Sequence, residues 1–194
     1  PGVFVPRDST EYLAEQAVRR LRSRRRPIAV DLATGGGTVA LAIANEVAGV
    51  RVHGTDISAT AIRTARRNAE RLRLQATFHV GEVYGGLPRD LAGAVDVVTL
   101  HPPYVALGEM RELPEEIRRF EPRHTLTDQS PDGLGLIGRA TAGAPDRLKA
   151  GGWLLIEVSP DRARATATLM RRAGFLDVRS TVDREFKVTR VLVG

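Results

Sequence analysis

Apolar positions along this chain follow two rhythms that take turns. Residues 28–32, 95–100 and 152–158 are short, largely apolar runs, as expected of strands covered on both faces, and in 50–57 and 76–80 apolar and polar residues alternate, which also reads as strand. Between them, apolar residues recur at the helical period over 38–47, 59–72, 134–148 and 161–173. In the second of these, Arg63, Arg66, Arg67 and Glu70 surround an alanine-rich face, and Gly174 stands where the last would be capped. Asp8-Ser9-Thr10-Glu11 reads as a capping box opening a further helix to about Arg24. Residues 175–182 and 186–193 read as two final strands in a hairpin. This alternation predicts a doubly wound α/β fold with a seven-stranded, mostly parallel sheet, a terminal antiparallel hairpin and a site at the strand carboxyl ends. Residues 105–132 break the rhythm with proline, charge and turn residues, and so long an irregular connection is usually functional.

Composition narrows the class. With 194 residues the chain has the size of one domain with a full core, so 1–194 is expected to be a single unit: an N-terminal segment and helix over 1–26 and the sheet core over 27–194. No run approaches a membrane-spanning length, and the first residues lack the apolar stretch of a signal peptide. The absence of cysteine removes disulfides, Cys-ligated zinc and thiol nucleophiles, and the expected location is the cytoplasm. The net charge of +6 suggests an acidic partner, yet Lys149 and Lys187 are the only lysines and the rest is an arginine bias. The densest cluster, Arg19 to Arg26, falls at a predicted helix end, where cations meet the carbonyl end of the dipole. Aromatic residues for base stacking make up only 5% of the chain, so nucleic acid is not the expected partner.

Two strand ends carry chemistry. Ala29-Val30-Asp31-Leu32-Ala33-Thr34-Gly35-Gly36-Gly37 runs from a strand into a glycine turn that lets a ligand approach the backbone. Gly54-Thr55-Asp56-Ile57 puts a carboxylate at the end of strand two, where nucleotide-binding α/β folds bind ribose hydroxyls. A glycine turn alone is also a steric need of any tight strand-to-helix connection; the two features together point to a nucleoside. The turn lacks the Gly-x-Gly-x-x-Gly of dinucleotide sites. Its leading Asp31 suits a cation or an amino group, which favours S-adenosylmethionine, converted to S-adenosylhomocysteine. Glu82 either approaches the adenine or is an exposed loop acid. The second strand end, His101-Pro102-Pro103-Tyr104, cannot continue a sheet, because proline donates nothing to the ladder. It forms a stiff shelf bearing one polar side chain and one ring.

With these residues in place, the chain resembles the catalytic domain of the HemK/PrmC-type release-factor glutamine methyltransferases over essentially its whole length. The opening segment Gly2 to Glu11, the loop Asp31–Gly37, Thr55-Asp56-Ile57-Ser58, the Pro-Pro-Tyr shelf, Phe120-Glu121-Pro122-Arg123-His124, Asp132-Gly133-Leu134 and the end from Asp183 to Arg190 all look like family sequence. The resemblance implies a Rossmann-like class I methyltransferase. Asp31, Ala33, Thr34, Gly35 and Gly37 would cradle the methionine part, Asp56 and Ile57 the ribose edge, and Glu82 the adenine side. His101, Pro102 and Tyr104 would do the catalysis, with His101 also beside the cofactor, and Pro103, Tyr104 and Arg123 would meet the acceptor. Three departures stand out. His101 replaces the family's asparagine, Ala33 replaces the first glycine of the loop, and the family's N-terminal helical domain is absent from these residues.

An amide nitrogen is a poor nucleophile because its lone pair is delocalised into the carbonyl. A site that accepts both N–H protons pulls it toward tetrahedral geometry; in the family the asparagine oxygen and the next main-chain carbonyl do so. Here the Pro102 carbonyl remains, and neutral His101 offers one acceptor nitrogen or a general base near neutrality. The expected acceptor is a release-factor glutamine; a small molecule or peptide is the alternative that His101 leaves open. Tyr104 would stack on a planar acceptor or pack in the wall. His53, His79 and His124 carry no ligand spacing, and Trp153 reads as core.

Overall fold

The computed structural model describes residues 8–183 and 188–194. Its elements run α1 (Asp8–Leu21), β1 (Ile28–Leu32), α2 (Thr38–Glu46), β2 (Arg51–Asp56), α3 (Ala59–Leu72), β3 (Thr77–Val80), β4 (Val95–Leu100), α4 (Glu115–Phe120), α5 (Gly135–Gly143), β5 (Leu148–Glu157), α6 (Ala163–Arg172), β6 (Arg179–Asp183) and β7 (Val188–Val193). The seven strands form one sheet in the order β3-β2-β1-β4-β5-β7-β6. The first five are parallel, and β7 lies antiparallel between β5 and β6.

Strand alternation divides the core into two layers. Ala29, Val97 and Leu155 face a cluster with Leu13, Ile43 and Ile62, on the side of α1, α2 and α3. Val30, Val98 and Leu154 face Leu91, Ile137 and Met170, on the side of α5 and α6. None of the described helices is long and apolar enough to cross a membrane. The strand order reverses direction at β1 and β4, and such a switch point opens a crevice at the carboxyl edge. Leu32 pairs with both Thr55 and Leu100, so the loops after β1, β2 and β4 emerge side by side.

Several predicted boundaries shift. Helix α1 ends at Leu21, its last buried apolar residue, rather than near Arg24. The helix predicted over 134–148 stops at Gly143, and Leu148 already belongs to β5. The Gly151-Gly152 pair therefore lies inside a strand whose register against β4 shifts between Val95 and Val97, not ahead of it. The first tail strand is confined to Arg179–Asp183. The opening residues 1–7, the Asp8 side chain with its capping box, and residues 184–187, of which 186 and 187 open the last predicted strand, lie outside the described residues.

The irregular stretch is a folded loop of short turns around α4. Tyr104 and Thr127 form an isolated antiparallel bridge at its ends, and the Val105 N–H donates to the Leu126 carbonyl at 3.0 Å. Glu109 ties it to the body through an ion pair with Arg162.

Candidate functional site

A cavity of about 270 Å³ opens where the three loops emerge, and Asp31, Asp56 and His101 share its wall. Asp31 lies on β1 and is 2% exposed. Its Oδ2 accepts a hydrogen bond from the Thr34 hydroxyl at 2.6 Å and its Oδ1 one from the Thr99 hydroxyl at 2.7 Å. Burial pushes its pKa up to about 6 against those hydrogen bonds and one from the Ala40 backbone, with the charge of Asp56 raising it further. A buried carboxylate in a cavity wall gains most from a cationic ligand, because an opposite charge restores its ionised form.

Asp56 holds the neighbouring loops together. Its Oδ2 accepts from the Gly35 N–H at 2.9 Å and its Oδ1 from the Ser58 N–H at 2.8 Å. Each oxygen keeps a second lone pair, which suits the two hydroxyls of a ribose. Ser58 then caps α3 by accepting from the Ala61 N–H at 3.2 Å. Beside Asp56, Ile57 is 71% exposed at the cavity rim, an apolar surface that a flat heterocycle can cover. Glu82 also lines the rim and pairs with Arg139 at 3.1 Å.

The glycine turn has two conformational constraints. Gly37 sits at φ +85°, and a Cβ there would press on Phe78, Ala65 and Leu41, so this glycine serves packing and does not line the cavity. Ala33 lines the cavity yet adopts φ +50°, a left-handed conformation that favours glycine. The alanine here thus holds a conformation that glycine would adopt without strain.

On the shelf, His101, Pro102 and Pro103 line the same cavity. Tyr104 does not: it bridges to Thr127, and its ring stacks at 6.4 Å from that of His101, forming the wall behind the imidazole. Arg123 is exposed outside the cavity, while its neighbours His124 and Thr125 line it. Ten of the thirteen predicted site residues thus meet at one cavity, and Gly37, Tyr104 and Arg123 stand outside it.

Sequence reasoning missed several groups. Thr10 from α1 lines the cavity and lies 3.3 Å from His101 Nδ1. Its signal was its place in the opening segment. Glu157, at the end of β5, is 2% exposed with Oε2 3.1 Å from the same Nδ1; an acid closing the apolar run Leu154-Leu155-Ile156 was the available clue. Thr127, Asp128 and Gln129 enter from the irregular loop, where no periodicity could place them. His53 and His79, which carry no ligand spacing, nonetheless stack on neighbouring strands with Nδ1 and Nε2 3.1 Å apart.

A family described as a methyltransferase domain matches residues 29–120. The release factor glutamine methyltransferase of Bordetella pertussis is 39% identical over 183 residues, covering 94% of this chain and 66% of that protein. The Xylella fastidiosa protein of the same name is 39% identical over 194 residues, covering 100% of this chain and 68% of that one. The chain thus spans about two thirds of the length of these relatives. Among solved structures, the release factor-specific protein-(glutamine-N5) methyltransferase of Alicyclobacillus acidocaldarius superposes with a TM-score of 0.57 at 26% identity, covering 97% of this chain and 92% of that one.

Proposed function

The chain belongs to the release factor glutamine methyltransferase family, and from that premise we propose that it methylates the side-chain amide nitrogen of a protein glutamine, using S-adenosylmethionine. The observation that carries this reading is the common cavity wall shared by Asp31, Asp56 and the His101-Pro102-Pro103 shelf. The donor set fits the cofactor: a buried, cation-seeking carboxylate for the ammonium, a two-oxygen acceptor for the ribose, and an exposed apolar rim for the base. S-adenosylmethionine supplies a methyl group activated by a sulfonium. Asp31, with the backbone from Ala33 to Gly36, holds the amino-acid end. Asp56 takes the ribose hydroxyls, while Ile57 and Glu82 flank the adenine.

The protein's own contribution is orientation, since holding two reactants in an attack geometry is worth effective molarities on the order of 10⁵ M or more. Two consecutive prolines fix the path of the shelf, so the Pro102 carbonyl is a rigid acceptor for one amide N–H. His101 faces the other N–H. The loop over 105–132, which contributes Thr125, Thr127 and Gln129 to the cavity, shapes what reaches the shelf. In this reading 1–194 forms one catalytic unit, the partner is a release factor, and the protein works in the cytoplasm.

His101 in place of asparagine favours a second reading, in which the acceptor is a small molecule or peptide. Labelled S-adenosylmethionine offered with purified release factors and with a methyl-deficient extract separates the two. Label on a release-factor glutamine is the expected result. Label confined to a small-molecule fraction, with release factors untouched, would overturn the first reading in favour of the second.

A further inference from the structure

His101 and Glu157 follow paired positions on adjacent strands. Leu100 of β4 lies opposite Ile156 of β5, which brings the next residues level at the carboxyl edge. There Nδ1 of His101 is 3.1 Å from Oε2 of Glu157 and 3.3 Å from Oγ1 of Thr10. Glu157 is 2% exposed and its Oε2 has no hydrogen-bond partner among the described residues, so the His101 ring nitrogen, within ion-pair distance, is a group that can satisfy it by a small ring rotation. With Glu157 ionised, an oxygen this close to a ring lone pair would be repelled, and the contact is attractive when Nδ1 carries a hydrogen, for which the Thr10 hydroxyl is then a second acceptor. In a neutral imidazole that choice leaves the lone pair on Nε2.

We propose that Glu157 is a positioning residue that holds His101 in its Nδ1–H tautomer, so that Nε2 takes the proton released by the acceptor nitrogen. As the nitrogen bonds to the methyl carbon, the sulfur–methyl bond breaks and sulfur keeps the electron pair. The nitrogen's proton then passes to Nε2, and the imidazolium charge rests beside the Glu157 carboxylate until the proton is returned to water. An asparagine at position 101 can accept an N–H hydrogen bond but has no basic nitrogen to take up a proton. The dyad therefore makes this shelf a general-base site, able to deprotonate an N–H acceptor rather than only orient it. The inference rests on methyl transfer at this shelf and is independent of which molecule supplies the nitrogen.

The test is long-range ¹H–¹⁵N NMR of the protein with ring-labelled histidine, the His101 signals being assigned by their loss in His101→Asn. Nδ1 should be protonated and Nε2 should carry the lone pair. Glu157→Leu, which removes the acid while keeping apolar volume, should convert this to a mixture of tautomers. On the release-factor acceptor it should lower kcat by about 10²-fold, the low end for a general base, with KM changed by no more than about twofold. An Nε2–H tautomer in the unmodified protein overturns the proposal without any variant, so it stays testable even where Glu157→Leu does not fold. A tautomer and kcat unchanged in Glu157→Leu overturn it as well. Release factors left unmethylated while His101 shows the Nδ1–H signature would sink the acceptor assignment alone, because the NMR readout needs no acceptor.

Discussion

Replacing Asp31 with asparagine should make the free protein more stable and cost it its ligand. The Asp31 carboxyl moves from an ordinary 3.8 to about 6 on folding. The folded chain thus holds this proton more tightly than the unfolded chain does. Its contribution favours folding at low pH, where the group is neutral in the fold. That contribution is lost progressively as pH rises from about 4 to about 6, and it is flat above. A difference of about two pH units corresponds to ~3 kcal/mol at 1.36 kcal/mol each. The Asp31→Asn side chain would carry no charge to bury. Its amide oxygen can keep one of the hydroxyl hydrogen bonds from Thr34 and Thr99, and its amide N–H can donate to the other hydroxyl. Urea unfolding of both proteins between pH 4 and 8 should therefore give curves that meet near pH 4 and diverge by up to ~3 kcal/mol at pH 7. In the same variant, calorimetry with S-adenosylmethionine should show affinity lower by about 10- to 100-fold, the range for losing one charge-assisted hydrogen bond. In the wild type, binding should weaken below about pH 6, as Asp31 takes up its proton. Stability curves that run parallel across the pH range would refute the buried-charge argument. An unchanged affinity would refute the assignment of the ammonium.

Three further outcomes follow from the geometry. Asp56→Ala removes the acceptor of both the Gly35 and Ser58 N–H groups and should weaken S-adenosylmethionine binding by about tenfold or more in calorimetry; equal affinity would contradict the ribose role. A Cβ at Gly81 would sit 1.9 Å from the Gly85 carbonyl oxygen. Gly81→Ala should thus lower the melting temperature or, where the turn re-forms, weaken cofactor binding through Glu82 and Val83; a variant equal to wild type in both measurements would remove the steric argument. Burial and mutual repulsion hold His53 below its ordinary 6.5, and burial and Arg66 do the same to His79. The unfolded chain binds these protons more tightly, so stability should fall as pH drops through 6.5. That slope should be shallower in His79→Gln by equilibrium unfolding.

The central strands were legible because β1, β4 and β5 carry largely apolar runs, and β4 and α3 have the bounds that periodicity gives. Where glycine interrupts an apolar run, local pattern and tertiary pairing disagree: Gly151-Gly152 looks like a turn, yet β5 passes through it because β4 pairs with Leu148 before it and with Trp153 after it. The same contrast holds in the site. Asp31, Asp56 and His101 announce themselves by standing at or near strand ends. Glu157 ends a strand too, but its meaning comes from the neighbouring strand, and strand adjacency is not written in any local pattern. Gly37 shows the opposite error, a turn glycine whose role is to admit the Phe78 ring rather than a ligand.

The bridge between Tyr104 and Thr127 has a consequence for how such a protein changes over time. Residues 105–126 leave the body and rejoin it at touching points, so the excursion behaves as a cassette with a common socket. The entropy of closing a loop grows only slowly with its length. Lengthening, shortening or replacing the cassette therefore leaves the proline shelf and the strand edges in register. In the proposed reading the insert carries the cavity-lining His124 and Thr125, so rewriting it would alter part of the acceptor side while Asp31 and Asp56, on the strand edges, stay in place.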